Sequence, residues 1–348
     1  MSKTIPTLAV AASITQAAAS EQLVRKDWRV RGDAGYLGVR EVRPGRSARG
    51  RPVLLLHGAR VPGVASFDLP VPGGSLAADL AREGHRVFIV DARGYGASDR
   101  PAALDAPPSE NPPAVTGEQV VRDLAAVVDW LRATTRHHRV DLVGWATGGH
   151  WAGWYASEHP ARVAHLVVLN SLYGAIDGHP LLGRGTEYED PARPGHFADA
   201  RHGAYRLSTG PSLLGGWESG IPVDDKAEWR DPRVAAAYVE HALASDPTSA
   251  DREPPSFRAP TGAMKDSFHL ATGRRLWHAR TITARTLVLR GERDFWSREG
   301  DLTTLVADLD RAEDVRAVRL DDATHFVHLD RAERGRDRLL AEVLRWLR

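Results

Sequence analysis

From Trp28 onward, short runs of branched apolar residues alternate with longer amphipathic stretches, a rhythm that predicts a mostly parallel sheet covered by helices. Residues 28–42 predict two antiparallel edge strands. The run Val53-Leu54-Leu55-Leu56 predicts a buried strand ending at His57-Gly58, followed by a helix near 75–83 that Gly84 stops. Val87 to Val90 is the next strand, and it runs into Asp91-Ala92-Arg93-Gly94-Tyr95-Gly96. Five prolines make 101–113 a loop. Thr116-Gly117-Glu118-Gln119 then has the spacing of a capping box opening a helix to about Arg136. Val140 to Val143 predicts a central strand that leads directly into Gly144-Trp145-Ala146-Thr147-Gly148-Gly149. A helix of small residues follows, to about His159, and 163–169 is one more strand.

Between Ser171 and about Ile282 the rhythm fails. Gly, Pro and charged residues are frequent, helical stretches such as 232–244 are short, and no clean strand is visible. It returns with a strand at 286–289, a helix near 300–309, a strand at 315–320 and a terminal helix over about 330–347. A structureless loop of that length is improbable inside a compact fold. The expected organisation is therefore an N-terminal arm (1–27), an α/β core (28–170 and 283–348) and a helical cap inserted at 171–282.

Composition narrows the function. With 46 Lys+Arg against 45 Asp+Glu the net charge is +1, so no positive field is available for a nucleic-acid backbone or an anionic membrane. Only four of the basic residues are Lys, and the many Arg are scattered rather than gathered in a stripe. The absence of cysteine excludes disulfides, thiolate metal sites and a Cys nucleophile. No apolar run approaches the ~18 residues of a membrane helix. The first twenty residues imitate a signal peptide weakly, so a cytoplasmic location is expected. The arm could reach a neighbouring subunit in a homo-oligomer.

The informative hexapeptide is the one at 144–149, placed between a buried strand and a helix. There, Gly-x-nucleophile-x-Gly makes a sharp turn: the glycines allow close backbone approach, and the middle side chain is lifted clear of the sheet. The middle residue here is Ala146, whose methyl has no lone pair to attack anything.

The chain resembles the α/β-hydrolase family from about Trp28 to the C-terminus, apart from the cap. Four elements match in order: His57-Gly58, Asp91-x-Arg93-Gly94-x-Gly96-x-Ser98, the elbow at 144–148, and a late acid and histidine. The resemblance implies that Asp294, in Leu289-Arg290-Gly291-Glu292-Arg293-Asp294, is the acid, and that His325, in Asp321-Asp322-Ala323-Thr324-His325, is the histidine. Asn170 occupies the other position where relatives place the acid; being uncharged, it cannot stabilise an imidazolium. His325 would take a proton from a serine hydroxyl at 146, Asp294 would orient the imidazole, and backbone N–H groups of Ala59 and Thr147 would form an oxyanion hole. Relatives with an Asp nucleophile usually follow it with Trp. Here Trp145 precedes the position and Thr147 follows it, as in serine esterases.

Two accounts of Ala146 compete. Either a serine has been replaced, leaving a silent site, or a lineage discarded its nucleophile and kept a binding fold. The elbow is strained, and a lineage freed from catalysis could relax it with Gly or Asn. Alanine keeps the Cβ and removes only the oxygen, which favours replacement.

The expected activity is cleavage of a carboxylic ester or lactone of a bulky apolar small molecule, with no cofactor and no metal. Trp145 and the large cap also resemble lactonases that open macrocyclic resorcylic lactones such as zearalenone. An amidase, a thioesterase or a non-catalytic binder would use the same groups. Candidate substrate residues are Arg60, Trp145, Tyr188, Trp217 and Phe326; the cap aromatics Phe197, Tyr205, Trp229, Phe257 and Trp277 are further candidates for lining a pocket. His57, Asp91 and Arg93 are read as structural, and Trp151 and Trp154 as core.

Overall fold

The computed structural model describes residues 22–348. An eight-stranded sheet forms the centre. Its strands are β1 (Leu23–Gly32), β2 (Gly35–Pro44), β3 (Arg49–Leu56), β4 (His85–Val90), β5 (Val140–Trp145), β6 (Val163–Leu169), β9 (Arg285–Arg293) and β10 (Val315–Thr324), in the spatial order 1-2-4-3-5-6-9-10. Only the β1–β2 and β2–β4 pairs are antiparallel; every other neighbour in this sheet is parallel. The alternating pattern of strands and helices thus yields the expected fold. β5 and β6 are buried along their whole length, as strands covered by helices on both faces must be.

The core helices are α1 (Gly63–Phe67), α2 (Leu76–Arg82), α3 (Gly117–Thr135), α4 (Thr147–Glu158), α9 (Glu299–Asp308) and α10 (Asp337–Trp346). Local chemistry sets several of their ends. The Ser75 hydroxyl accepts from the Ala78 N–H (2.9 Å) to open α2. The Gln119 side chain accepts from the Thr116 N–H (3.0 Å) at the start of α3, one half of the expected box. The terminal helix starts later than its periodicity suggests, because Gly335 turns the chain at φ 94° just ahead of α10.

Two further expectations are revised. Residues 1–21 of the expected arm lie outside the described residues, but Leu23–Asp27 already belong to β1, paired with Val42 through Pro44 and their neighbours on β2. That strand carries Arg25, Lys26 and Asp27 on an exposed edge, which hides its extended character from a hydrophobicity pattern. The segment joining β6 to β9 contains α5 (Asp199–His202), α6 (Gly210–Ser219), α7 (Pro232–Ala244) and α8 (Gly262–Ala271). It also holds two strands, β7 (Tyr205–Thr209) and β8 (Ser256–Pro260), in an antiparallel pair. They escaped notice because each is five residues long and its partner lies far along the chain.

Candidate active site

The strand-to-helix turn after β5 holds Ala146 at φ 53° and ψ −121°, a conformation that a residue with a Cβ adopts only under constraint. The constraint is steric. A Cβ on Gly144 would lie 2.2 Å from the Gly148 carbonyl oxygen, and one on Gly148 would lie 2.1 Å from the Leu56 oxygen. Only glycine at both positions lets the turn close against β3. The Ala146 N–H is fixed to the Leu169 oxygen at 2.8 Å.

Asp294 follows β9 and His325 follows β10, both buried. Their side chains meet: His325 Nδ1 lies 2.6 Å from Asp294 Oδ1. The second oxygen of Asp294 accepts from the Ser297 N–H (2.9 Å) and from its hydroxyl, while Oδ1 also accepts from the Trp296 N–H at 3.0 Å. Burial alone would push this carboxyl up. The neighbouring His325 and the donors of Ser297 and Trp296 instead hold it below the usual carboxylate range. His325 Nε2 has no hydrogen-bond partner among the described residues.

Ala146 and His325 line one cavity of about 230 Å³. The elements around the large sheet contribute Ala59, Arg60, Trp145, Thr147, Phe295 and Phe326; the segment between β6 and β9 contributes Tyr188, Arg206, Leu213, Tyr238 and Met264. The Ala59 loop is anchored by the Tyr95 hydroxyl, which donates to the Ala59 oxygen at 2.8 Å. Thr147 opens α4, so its N–H belongs to the first turn, where no intrahelical acceptor exists and the helix dipole favours negative charge.

The residues read as structural are so placed. His57 Nε2 accepts from the Ala92 N–H (3.0 Å) and its Nδ1 sits 2.6 Å from the Gly58 oxygen. Burial lowers its pKa to about 4, so it is a neutral brace. Asp91 accepts from Gly63 and Ala97 N–H groups, and Arg93 pairs with Asp123 at 2.8 Å.

The aromatic candidates divide. Tyr188, Trp145 and Phe326 line the cavity, but Trp217 does not. It stacks behind Phe326 (ring centres 5.1 Å apart, 18° between planes) and donates to Asp330 Oδ1 at 2.7 Å. The other oxygen of Asp330 accepts from the Thr324 hydroxyl at 2.7 Å, so Trp217 braces the histidine loop rather than lining the site. Phe197, Tyr205, Trp229, Phe257 and Trp277 are likewise absent from the lining. Trp277, for example, donates to His150 Nδ1 at 2.8 Å. An aromatic composition marks a covered interior without saying which rings face the void.

Three residues do work that their sequence did not announce. Trp145 faces the cavity and also donates its indole N–H to the His325 carbonyl (2.8 Å). Asn170, excluded as an acid, donates to the same carbonyl at 3.1 Å and accepts from the Gly291 N–H at 2.8 Å, tying β6, β9 and the histidine loop together. Arg206 lines the cavity and had no distinguishing context at all. Arg60, read as a substrate contact or a surface ion pair, lines the cavity and makes no ion pair among the described residues; it donates to Ser208 Oγ (3.1 Å), the Ser212 oxygen (2.8 Å) and Ser212 Oγ (2.5 Å). Burial, then the like charge of Arg206, lowers its pKa to about 10.

This fold, with a strained elbow facing a carboxylate-braced histidine, defines a class. A family model described as alpha/beta hydrolase fold matches residues 51–332, and the chain belongs to that family. A curated relative, RutD of Variovorax paradoxus (strain S110), named for carbamate hydrolysis, is 40% identical over 124 residues. That match covers 36% of the chain and only 39% of the relative. Among solved structures, the enol-lactonase of Burkholderia xenovorans LB400 superposes with a TM-score of 0.59 at 19% identity, covering 92% of the chain and 99% of that structure. A serine-to-alanine mutant of the meta-cleavage product hydrolase CumD from Pseudomonas fluorescens IP01 gives 0.57 at 17% identity, with 92% and 96% covered. Proline iminopeptidase of Mycobacterium smegmatis gives 0.57 at 18%, with 92% and 97% covered. At these identities the likeness is one of fold, and the three names span different reactions.

Proposed function

We propose that the protein is a hydrolase built for a serine at position 146, acting on a carboxylic ester or lactone of a small molecule, and that Ala146 leaves it unable to form the acyl-enzyme. The supporting observation is the 2.6 Å His325–Asp294 pair facing the strained elbow across a covered cavity. With a hydroxyl at 146, its oxygen attacks the substrate carbonyl carbon as His325 Nε2 takes the proton. The Ala59 and Thr147 N–H groups hold the oxyanion; its collapse expels the alkoxide, which takes the proton from His325. Water then repeats the sequence to release the acid. Asp294 keeps Nδ1 protonated, leaving Nε2 free to accept.

A macrocyclic lactone such as zearalenone belongs to this class as a bulky candidate, and an amide or thioester would be cleaved by the same groups. A second reading takes the missing hydroxyl of Ala146 at face value: a non-catalytic ligand-binding member of the fold. The two separate in one assay: Ala146→Ser followed by nitrophenol release from short and long acyl esters. A burst followed by steady turnover supports the hydrolase. Silence from a folded protein that keeps its ligand affinity supports the binder.

A further inference from the structure

Arginines of this protein that leave water generally take a carboxylate with them. Arg93 has Asp123, Arg298 has Asp301 and Arg258 has Asp246. The last case is instructive because Arg258 lies on β8, in the same two-stranded sheet as Arg206 on β7, with Leu207 opposite Arg258 in the register. Arg258 makes three bonds to Asp246, two from its side chain to Oδ2 and Oδ1 at 2.9 Å and one from its own N–H, and a fourth to the Leu104 oxygen. The Arg206 side chain makes no hydrogen bond and no ion pair among the described residues, and its Nε is buried without a partner.

Strand periodicity aims it. Residues 206 and 208 share one face of β7, and Ser208 on that face receives Arg60, while Leu207 on the other face is exposed. Arg206 therefore stands beside Arg60 on the wall of the cavity that holds Ala146 and His325. Arg60 spends its donors on serine and carbonyl oxygens, so it is bonded but not neutralised. Among the described residues, no Asp or Glu lines the cavity. Two guanidinium groups in a covered space without a counter-charge repel each other, an arrangement that an incoming anion would relieve.

We infer that the substrate carries a carboxylate in addition to the bond to be cleaved, and that Arg206, with Arg60 beside it, receives that carboxylate. The substrate class becomes an ester or lactone of a carboxylate-bearing small molecule, not a wholly apolar one; only the nature of the cleaved bond rests on the hydrolase reading. Arg206 is then a specificity residue, holding the anion while the carbonyl sits under the Ala59 and Thr147 N–H groups.

The direct test uses the Ala146 protein and two ligands that share a skeleton and differ by one charge, monomethyl glutarate and dimethyl glutarate, titrated calorimetrically. The monoanion is expected to bind about ten- to hundredfold tighter, the span of a single charge-assisted hydrogen bond. Added salt should narrow the gap, Arg206→Gln should close it, and Arg206→Lys should keep part of it. Equal affinity of the two ligands, a comparison that needs no variant, overturns the inference; so does a gap that survives Arg206→Gln. In Ala146→Ser, preference for mono-4-nitrophenyl glutarate over 4-nitrophenyl pentanoate, lost with Arg206→Gln, supports it again. Hydrolysis of both esters without preference sinks the anion site and leaves the hydrolase reading standing. Charge discrimination in the titration with no hydrolysis of either ester sinks the hydrolase reading and supports the anion site.

Discussion

The floor and the roof of the cavity are held in opposite ways. On the floor, built around the ends of β3, β5, β9 and β10, the acid and the histidine loop are held by hydrogen bonds: Asp294 accepts from His325, Trp296 and Ser297, and the His325 carbonyl accepts from Trp145 and Asn170. On the roof, built by the segment between β6 and β9, Arg206 is left open and Tyr188, Leu213 and Met264 present a mixed surface. A floor whose acid and histidine loop are braced fixes the reacting imidazole to the tolerance that chemistry requires and leaves its Nε2 open, whereas the unpaired Arg206 on the roof waits for a ligand to complete it. The difference assigns reaction to one side and choice of substrate to the other.

The sharpest way to break that division is at the floor. Restoring the hydroxyl with Ala146→Ser should raise ester turnover by up to about 10⁶-fold, the cost typical of removing a triad nucleophile. Steady-state assays with nitrophenyl esters check it. In that background, Asp294→Asn should lower kcat by about 10⁴-fold, as in other triads that lose the carboxylate, with KM nearly unchanged. A loss shared equally by KM would instead place Asp294 in substrate binding.

Smaller effects probe the braces between the two sides. Trp217→Phe keeps the ring against Phe326 but deletes the donor to Asp330, and should cost about 1–3 kcal/mol in urea unfolding, because a buried acceptor loses its partner. The last expected effect is one of pH and not of a lost contact. Burial raises Asp266 on α8 to about 7, although it accepts the Gly117 N–H at the start of α3. A carboxyl raised in the folded state binds its proton there while the unfolded chain has released it. Its contribution therefore makes stability fall as pH rises from about 4 to 7, and constant above that. Asp266→Asn keeps an acceptor and removes this contribution, so its Tm should decline less across that window than that of the unsubstituted protein.

The same division governs what the residues reveal before any coordinates. The elbow is dictated by a turn that only glycine permits, so Gly144 and Gly148 point to Ala146, and the resemblance to the α/β-hydrolases then points to Asp294 and His325 by their place in the chain order. Periodicity finds the strands that carry them: β5 is a largely apolar run because both its faces are covered, whereas β10, at the sheet edge, alternates buried and exposed residues. The roof offers no such grammar. Arg206 is one arginine among many on a five-residue strand whose partner is some fifty residues away, and its significance is the absence of a neighbour, which no motif encodes. Trp217 and Trp277 look like pocket residues by composition, yet their indole N–H groups are committed to Asp330 and His150. Asn170 was legible only as a missing charge; its bonds to the His325 carbonyl and the Gly291 N–H depend on three strands converging.

One measurement reaches the central claim without a known substrate. Ala146→Ser, incubated with a fluorophosphonate and weighed intact, should gain a single phosphonyl group mapped to position 146, and the gain should vanish when His325→Gln is added. The Ala146 protein should stay unlabelled. A folded Ala146→Ser protein that takes up no label, or takes it up equally without His325, would contradict the pairing of elbow and histidine on which the account stands.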